Sequence, residues 1–312
     1  MISFLLKKNN VESYNEIFNN QVNDGIPLYT TPFYIYNSAS SFDFSTRSRE
    51  IRIKCYANYT GTSWPPMFYL KIDGVLKEHL TTNGQYVIID TGNNNLKNIK
   101  IAHKFIEVAS PLTGCWIQSV IIDTNKYYSI ITKPRPATRY LFFGDSITQG
   151  GRATSIYSQG FAGLYRDNGH DVTIGGASAY SISLMYAEIN RAIGWISSMM
   201  DSLVSNKLIL ILGTNDYQSN AATISTYYNT IIDGIHAIRP DIHIYCCAPY
   251  LRSSEVNLPA IRTNIQQTCT DRPTFTTFIN LRDVVPLSHL PDGLHPDDYG
   301  HALLFNYLNT LI

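Results

Sequence analysis

Leu141-Phe142-Phe143-Gly144-Asp145-Ser146-Ile147-Thr148-Gln149-Gly150 is a run of bulky apolar residues that stops at a Gly-Asp-Ser turn. Such a run reads as a buried strand that hands a serine hydroxyl to the rim of a sheet. The same rhythm repeats downstream. Asp171 to Ile174 reads as a short strand and is followed by Gly175-Gly176-Ala177-Ser178-Ala179. Leu208 to Leu212 (LILIL) is a near-continuous apolar strand followed by Gly213-Thr214-Asn215-Asp216. Helical spacing fills the intervals: around Ser155 to Asp167, Ser181 to Met200, and Ile224 to Ile238. Ile242 to Cys247 reads as a further strand, and Asp298 to Ile312 as a closing helix. Apolar strands alternating with helices predict an α/β domain with a mostly parallel sheet covered on both faces.

Upstream of residue 130 the rhythm is different. Ile51 to Ala57, Met67 to Ile72, Tyr86 to Ile89, Ile99 to Val108 and Cys115 to Ile122 read as strands, with Gly, Asn, Ser and Pro between them. Asp73-Gly74 between two apolar runs signals a hairpin. Short strands with frequent turns predict an all-β sandwich. Lys133-Pro134-Arg135-Pro136 holds the chain extended and ends both flanking elements. The expected division is therefore an accessory β-sandwich over 1–135 and an α/β domain over 136–312.

The 312 residues are 44% hydrophobic and 15% charged, a globular balance. Lys plus Arg and Asp plus Glu each total 24, so no field favours nucleic acid or an anionic membrane as partner. No stretch approaches the length of a membrane span. The short apolar patch at Met1 precedes Lys7-Lys8, the reverse of signal-peptide order, and the cellular location stays open. Tyr is abundant, at 22 residues. The five cysteines (Cys55, Cys115, Cys246, Cys247, Cys269) fit no zinc spacing. Cys246 and Cys247 read as small hydrophobes, and a Cys55–Cys115 bridge is sterically conceivable but not favoured.

Three polar turns follow three strands, and ligands in such sheets bind beyond the strands' carboxyl ends. Each turn begins with glycine, which lets the backbone turn sharply and leaves room for a ligand. The fourth motif, Asp292-Gly293-Leu294-His295, precedes the last helix and can fold over the same rim. Together they supply acyl-transfer chemistry. Ser146 is a nucleophile once a base takes its proton, and His295 is that base. Asp292, three residues before it, orients the imidazole. The oxyanion needs fixed donors: the Ser146 N–H, an N–H of the Gly175–Ala179 turn, and the Asn215 amide. No cofactor or metal is required.

These residues resemble the SGNH hydrolases, also called GDSL-type esterases. Gly-Asp-Ser around Ser146, Gly-x-Asn-Asp around Asn215 and Asp-x-x-His over Asp292 and His295 match that family in order and spacing, from about Arg139 to Ile312. The resemblance implies a three-layer α/β/α domain. It puts the family's oxyanion glycine at Ala179, with Gly176 as the alternative donor. The layout also resembles a carbohydrate esterase type in which a jelly-roll-like sandwich, an Ile-Asp-Gly hairpin (here Ile72-Asp73-Gly74) and a Pro-rich linker precede the catalytic domain. That implies deacetylation of carbohydrate. The competing readings are a short-chain lipase or thioesterase of the same superfamily, and a non-catalytic glycan-binding or structural module.

Single residues also carry plainer readings. Ser146 is a good helix N-cap, Asn215 an ordinary turn residue, and Asp216 structural. His295 by itself is an ordinary surface or packed histidine. Asp292, His295, Asp297, Asp298 and His301 cluster in sequence, but a triad explains their spacing better than a metal site. Tyr180 and Tyr217 read first as packing residues and second as sugar platforms. Asn58-Tyr59-Thr60 is a glycosylation sequon of low specificity.

Overall fold

The computed structural model describes residues 2–4, 33–35, 41–57, 67–80, 86–103, 115–122, 128–130, 138–154, 159–199 and 205–312. The linker at Lys133–Pro136, the sequon at Asn58–Thr60 and the start of the helix expected near Ser155 lie outside the described residues, as do the side chains of Cys55 and Cys115. The chain divides into two compact units.

The first unit carries ten strands: β1 (Ile2–Phe4), β2 (Phe33–Ile35), β3 (Ser41–Thr46), β4 (Glu50–Ala57), β5 (Met67–Ile72), β6 (Val75–Leu80), β7 (Tyr86–Asp90), β8 (Lys97–His103), β9 (Cys115–Ile122) and β10 (Tyr128–Ile130). They form two five-stranded antiparallel sheets. One runs β1-β9-β4-β7 with β2 also on β9, and the other runs β10-β3-β8-β5-β6. The hairpin at Asp73-Gly74 forms as the dipeptide predicts. Both residues take positive φ, 50° and 84°, the twist that fits tight antiparallel pairs. Residues two apart are buried, Ile51 with Ile53, Leu70 with Ile72, and Ile99 with Ile101, as the pleat requires for a one-sided apolar face.

The second unit is a five-stranded, wholly parallel sheet. Its strands are β11 (Thr138–Gly144), β12 (Asp171–Gly176), β13 (Ser205–Ile211), β14 (His243–Ala248) and β15 (Thr276–Asn280), in the order β12-β11-β13-β14-β15. Among the described residues seven α-helices accompany it: α1 (Ser146–Gln149), α2 (Phe161–Asp167), α3 (Ile182–Ala187), α4 (Ile189–Met199), α5 (Ala221–Ile238), α6 (Leu258–Thr270) and α7 (Asp298–Asn309). Helix α2 packs with α7, whereas α3, α4 and α6 pack around α5. Two neighbouring residues of β11 show that these groups cover opposite faces, because successive strand residues point opposite ways. Phe142 meets Phe161 and Tyr165 of α2. Phe143 meets Tyr180 and Trp195. Among the described residues no helix is long and apolar enough to cross a membrane.

Three details differ from the sequence reading. The helix expected over Ser181 to Met200 breaks at Glu188, whose φ is −117°. Its carboxylate accepts from the buried Tyr180 hydroxyl at 2.7 Å, and its carbonyl starts α4 by accepting from Ala192 N–H. Helix α6 and strand β15 were not anticipated. The apolar stripe of α6 is only one residue wide per turn (Leu258, Ile261, Ile265, Cys269), too thin to stand out. Finally, Gly144 and Gly175 are not turn-forming glycines, since neither has positive φ. They are contact glycines. A Cβ on Gly144 would strike the Ile211 carbonyl oxygen and Thr148 Oγ1, and one on Gly175 the Trp195 ring.

The close approach at Gly144 lets β13 and α1 converge beneath Ser146. Gly144→Ala is therefore expected to destabilise the protein by roughly 1–3 kcal/mol through overpacking. The shift in urea midpoint at unchanged slope measures it.

Candidate active site

Ser146 opens α1 directly after β11, and Asp145, not Ser146, is the helix N-cap. The Asp145 carboxylate accepts from Ile147 N–H at 2.9 Å. This corrects the capping role offered for Ser146, whose hydroxyl is left to bond away from the helix. Burial pushes the Asp145 carboxyl up to about 6, against the lowering effect of that hydrogen bond.

The Ser146 Oγ lies 2.8 Å from His295 Nε2, and His295 Nδ1 lies 2.8 Å from Asp292 Oδ2. The carboxylate can only accept from Nδ1–H, which leaves Nε2 as the acceptor facing the hydroxyl. Asp292 Oδ1 also accepts from the N–H groups of Leu294 and His295, at 3.0 and 2.7 Å. Burial pushes the Asp292 carboxyl up, but the hydrogen bonds from His295 and Leu294 outweigh it and hold the group well below the usual carboxylate range. Gly293 takes φ 75° to make this turn.

The other expected residues lie on the adjoining turns. Asn215 sits in a 3₁₀ turn entered through Gly213 at φ 109°, and its Nδ2 donates to the Tyr180 carbonyl at 2.9 Å. That bond spends one amide N–H and fixes the plane of the other. Asp216 is buried and accepts from Ile182 N–H at 2.8 Å and from Ser183 Oγ at 2.9 Å. It thereby ties the Asn215 turn to the start of α3. Ala179 is exposed and holds φ 58°. Gly176 is buried against the backbone of Thr148 and Gln149. Among the described residues neither Asn215 nor Ala179 is hydrogen-bonded to Ser146, His295 or Asp292. The Asn215–Tyr180 bond is what brings their two turns together.

Several residues around the site were not singled out from sequence. The loop after α1 clasps the histidine segment at four points. Gly151 lies against the His295 ring, where an added Cβ would come within 3.0 Å of Cδ2. The Gly151 carbonyl accepts from His301 Nε2 at 3.0 Å. Arg152 donates Nε to Asp292 Oδ2 at 3.1 Å, and Thr154 N–H donates to Asp298 Oδ1 at 2.7 Å. From the other side, the buried Tyr250 hydroxyl donates to the Leu294 carbonyl at 2.6 Å. A Gly-Gly pair followed by Arg was the only sequence hint. Of the acidic and histidine residues near the C-terminus, Asp297 caps α7 through Gly300 N–H at 2.8 Å, and His301 is buried. No group of three such side chains able to hold a metal occurs among the described residues. Tyr180 is buried in the core as expected of a packing residue, and Tyr217 lies at the rim.

A family model of GDSL-like lipases and acylhydrolases matches residues 142–303, more than half of the chain. The chain belongs to that family. This GDSL-like hydrolase is similar in fold to several carbohydrate esterases. A family two carbohydrate esterase from Clostridium thermocellum, solved in complex with cellohexaose, is 17% identical, with TM-score 0.67 over 88% of this chain and 91% of that one. The acetyl xylan esterase Est2A from Butyrivibrio proteoclasticus is 14% identical, with TM-score 0.65 over 90% and 92%. A family two carbohydrate esterase from Cellvibrio japonicus is 12% identical, with TM-score 0.63 over 89% and 92%. No curated protein sequence matches the GDSL-like chain.

Two expectations follow from this geometry. A left-handed alanine costs roughly 1–2 kcal/mol, partly offset in a glycine variant by greater chain entropy when unfolded. Ala179→Gly is therefore expected to raise stability by about 1 kcal/mol or less, read from the denaturant midpoint. Burial lowers His301 from 6.5 to about 4, so between those values the unfolded chain binds a proton that the native state refuses. Stability from this group is lost as pH falls from 6.5 to 4. Asp145, raised from 3.8 to about 6, acts in the opposite sense over that window. His301→Gln is expected to remove the share of His301, so the fall in Tm on acidification between pH 6.5 and 4 becomes shallower, as calorimetry across pH would show.

Proposed function

We propose that the protein is a serine esterase that removes O-acetyl groups from carbohydrate. The observation that carries this reading is the unbroken chain from Ser146 Oγ through His295 to Asp292, 2.8 Å at each link. In the proposed reaction the Ser146 oxygen attacks the ester carbonyl carbon as its proton passes to His295 Nε2. Asp292 remains a carboxylate and steadies the imidazolium. The carbonyl oxygen becomes an oxyanion held by the N–H groups of Ser146 and Ala179 and by the Asn215 amide. The Ser146 N–H is available because the first N–H groups of a helix have no partner within it. Collapse breaks the bond to the sugar oxygen, which leaves with the proton from Nε2. Water then repeats the sequence on the acetyl-enzyme and releases acetate.

Support for carbohydrate as substrate comes from the fold shared with carbohydrate esterases, one of them complexed with cellohexaose. The buried position of Gly176 favours Ala179 as the second oxyanion donor. Residues 136–312 are the catalytic domain in this reading, and residues 1–135 are an accessory β-sandwich.

Acetate release from a panel of acetylated glycans tests the proposal. Ser146→Ala is expected to lower kcat/KM by roughly a thousandfold or more, and Asn215→Ala by roughly a hundred- to a thousandfold, mainly in kcat. Undiminished turnover by the Ser146→Ala protein would overturn the mechanism. A preference for octanoyl over acetyl esters would overturn the acetyl assignment.

A further inference from the structure

Arg252 lies on the loop that follows β14, beyond the carboxyl end of the sheet. Its guanidinium carbon sits 4.1 Å from the centroid of the Tyr217 ring, and Nη1 donates to the Thr214 carbonyl at 3.1 Å. Thr214 precedes Asn215. On the other side, Ser253 N–H donates to the Gly293 carbonyl at 3.0 Å, two residues before His295. Arg252 is thus held between the turn that carries Asn215 and the loop that carries His295. Its seat is rigid. Leu251 N–H donates to the Arg282 carbonyl at 2.8 Å, and the buried Arg262 donates Nε to Pro249 O at 2.6 Å and Nη2 to Tyr250 O at 2.9 Å.

The charge of Arg252 has no counterpart among the described residues. Arg152, Arg262, Arg272 and Arg282 each face a carboxylate. Among the described residues Arg252 faces none, and its Nε is buried with no acceptor. Buried polar groups in folded proteins are almost always satisfied, so an exception calls for a physical account. Here a half-buried guanidinium stacks on one aromatic face, gives an Nη1 N–H to the Thr214 carbonyl and faces no acid among the described residues. A planar fork of that kind matches a planar carboxylate. A phosphate dianion calls for more donors than one guanidinium supplies. The formal net charge of the chain is zero, so attraction to an anion at this point is local and not a general field.

We infer that Arg252, seated on Tyr217, is a specificity subsite for the carboxylate of an acidic sugar, and that the favoured substrate is an O-acetylated glycan containing uronic acid units. This rests on the carbohydrate esterase reading above. The subsite fixes the sugar beside the scissile ester, and its preformed seat avoids the cost of ordering a flexible side chain on binding.

The test compares acetate release from acetylated polygalacturonate with that from acetylated glucomannan, a neutral polymer. Wild type, Arg252→Gln, Arg252→Lys and Tyr217→Leu proteins are assayed on both, with 4-nitrophenyl acetate alongside. The wild type is expected to prefer the acidic polymer. Arg252→Gln is expected to lower that preference, as a ratio of kcat/KM values, by roughly ten- to a hundredfold, mostly in KM. Arg252→Lys should recover part of the loss, and Tyr217→Leu should fall between. Taking the ratio cancels any disturbance to the Thr214–Asn215 turn. A wild-type ratio near one, or equal losses on both polymers in Arg252→Gln, would overturn the subsite. Cleavage of 4-nitrophenyl acetate with no release from either polymer would instead overturn the carbohydrate reading, and the subsite with it.

Discussion

The hydrogen bond between Ser146 Oγ and His295 Nε2 joins residues 149 positions apart, and the loops on both sides of it hold those two atoms at 2.8 Å. The serine end is easily fixed, since it sits where a strand buried from Tyr140 onward meets a helix. The histidine end is harder, because Asp292 to His295 lies outside any strand or α-helix. A segment of that kind stays in place only if its neighbours determine it more than once. Tyr250 takes the Leu294 carbonyl, Ser253 takes the Gly293 carbonyl, and Asp292 takes the N–H groups of Leu294 and His295. The loop after α1 supplies the opposite wall, with Gly151 on the imidazole and Arg152 on the carboxylate. The Asp292 oxygen that meets His295 Nδ1 is therefore shared with the Arg152 guanidinium from the loop after Ser146.

The sheet order explains why these parts meet. Strand β11 lies between β12 and β13, and the chain leaves β11 towards β12 but leaves β13 towards β14, in opposite directions. That reversal opens a crevice beyond the strand ends, the common ligand position in open parallel sheets. Ser146 emerges from β11, the Ala179 turn from β12 and the Asn215 turn from β13. Convergence this tight demands missing side chains, which Gly144, Gly175 and Gly176 provide.

Much of this was legible in the chain because the informative residues are contiguous. The apolar runs ending at Gly144, Gly175 and Gly213 announce a parallel sheet, and four short motifs carry the reactive groups. The illegible parts share one physical property, dependence on partners distant in sequence. Only the Gly-Gly pair before it hints at Arg152, which matters through Asp292, and nothing local distinguishes Tyr250, which matters through Leu294. Gly144 and Gly175 looked like bends and are contact points, a difference visible only when Ile211 and Trp195 arrive. Glu188 breaks a helix that its own periodicity would continue, because Tyr180 draws its carboxylate back. Helix α6 escaped notice because one apolar residue per turn is enough beside Arg262, whose buried guanidinium fills volume that a wider stripe would otherwise occupy.

Strand β12 is an outer strand of its sheet, and the Ala179 turn hangs from its end. Outer strands have hydrogen-bonded neighbours on one side only and open at lower free energy than central ones. What secures this margin from across the crevice is the Asp216 carboxylate on α3 and the Asn215 amide on Tyr180. Fraying there would scatter the Ala179 and Asn215 turns and leave the Ser146 hydroxyl and the His295 imidazole still paired. In the proposed reaction the protein would thus lose its hold on the oxyanion while its resting constellation looks intact, and warming would silence it before the central strands come apart.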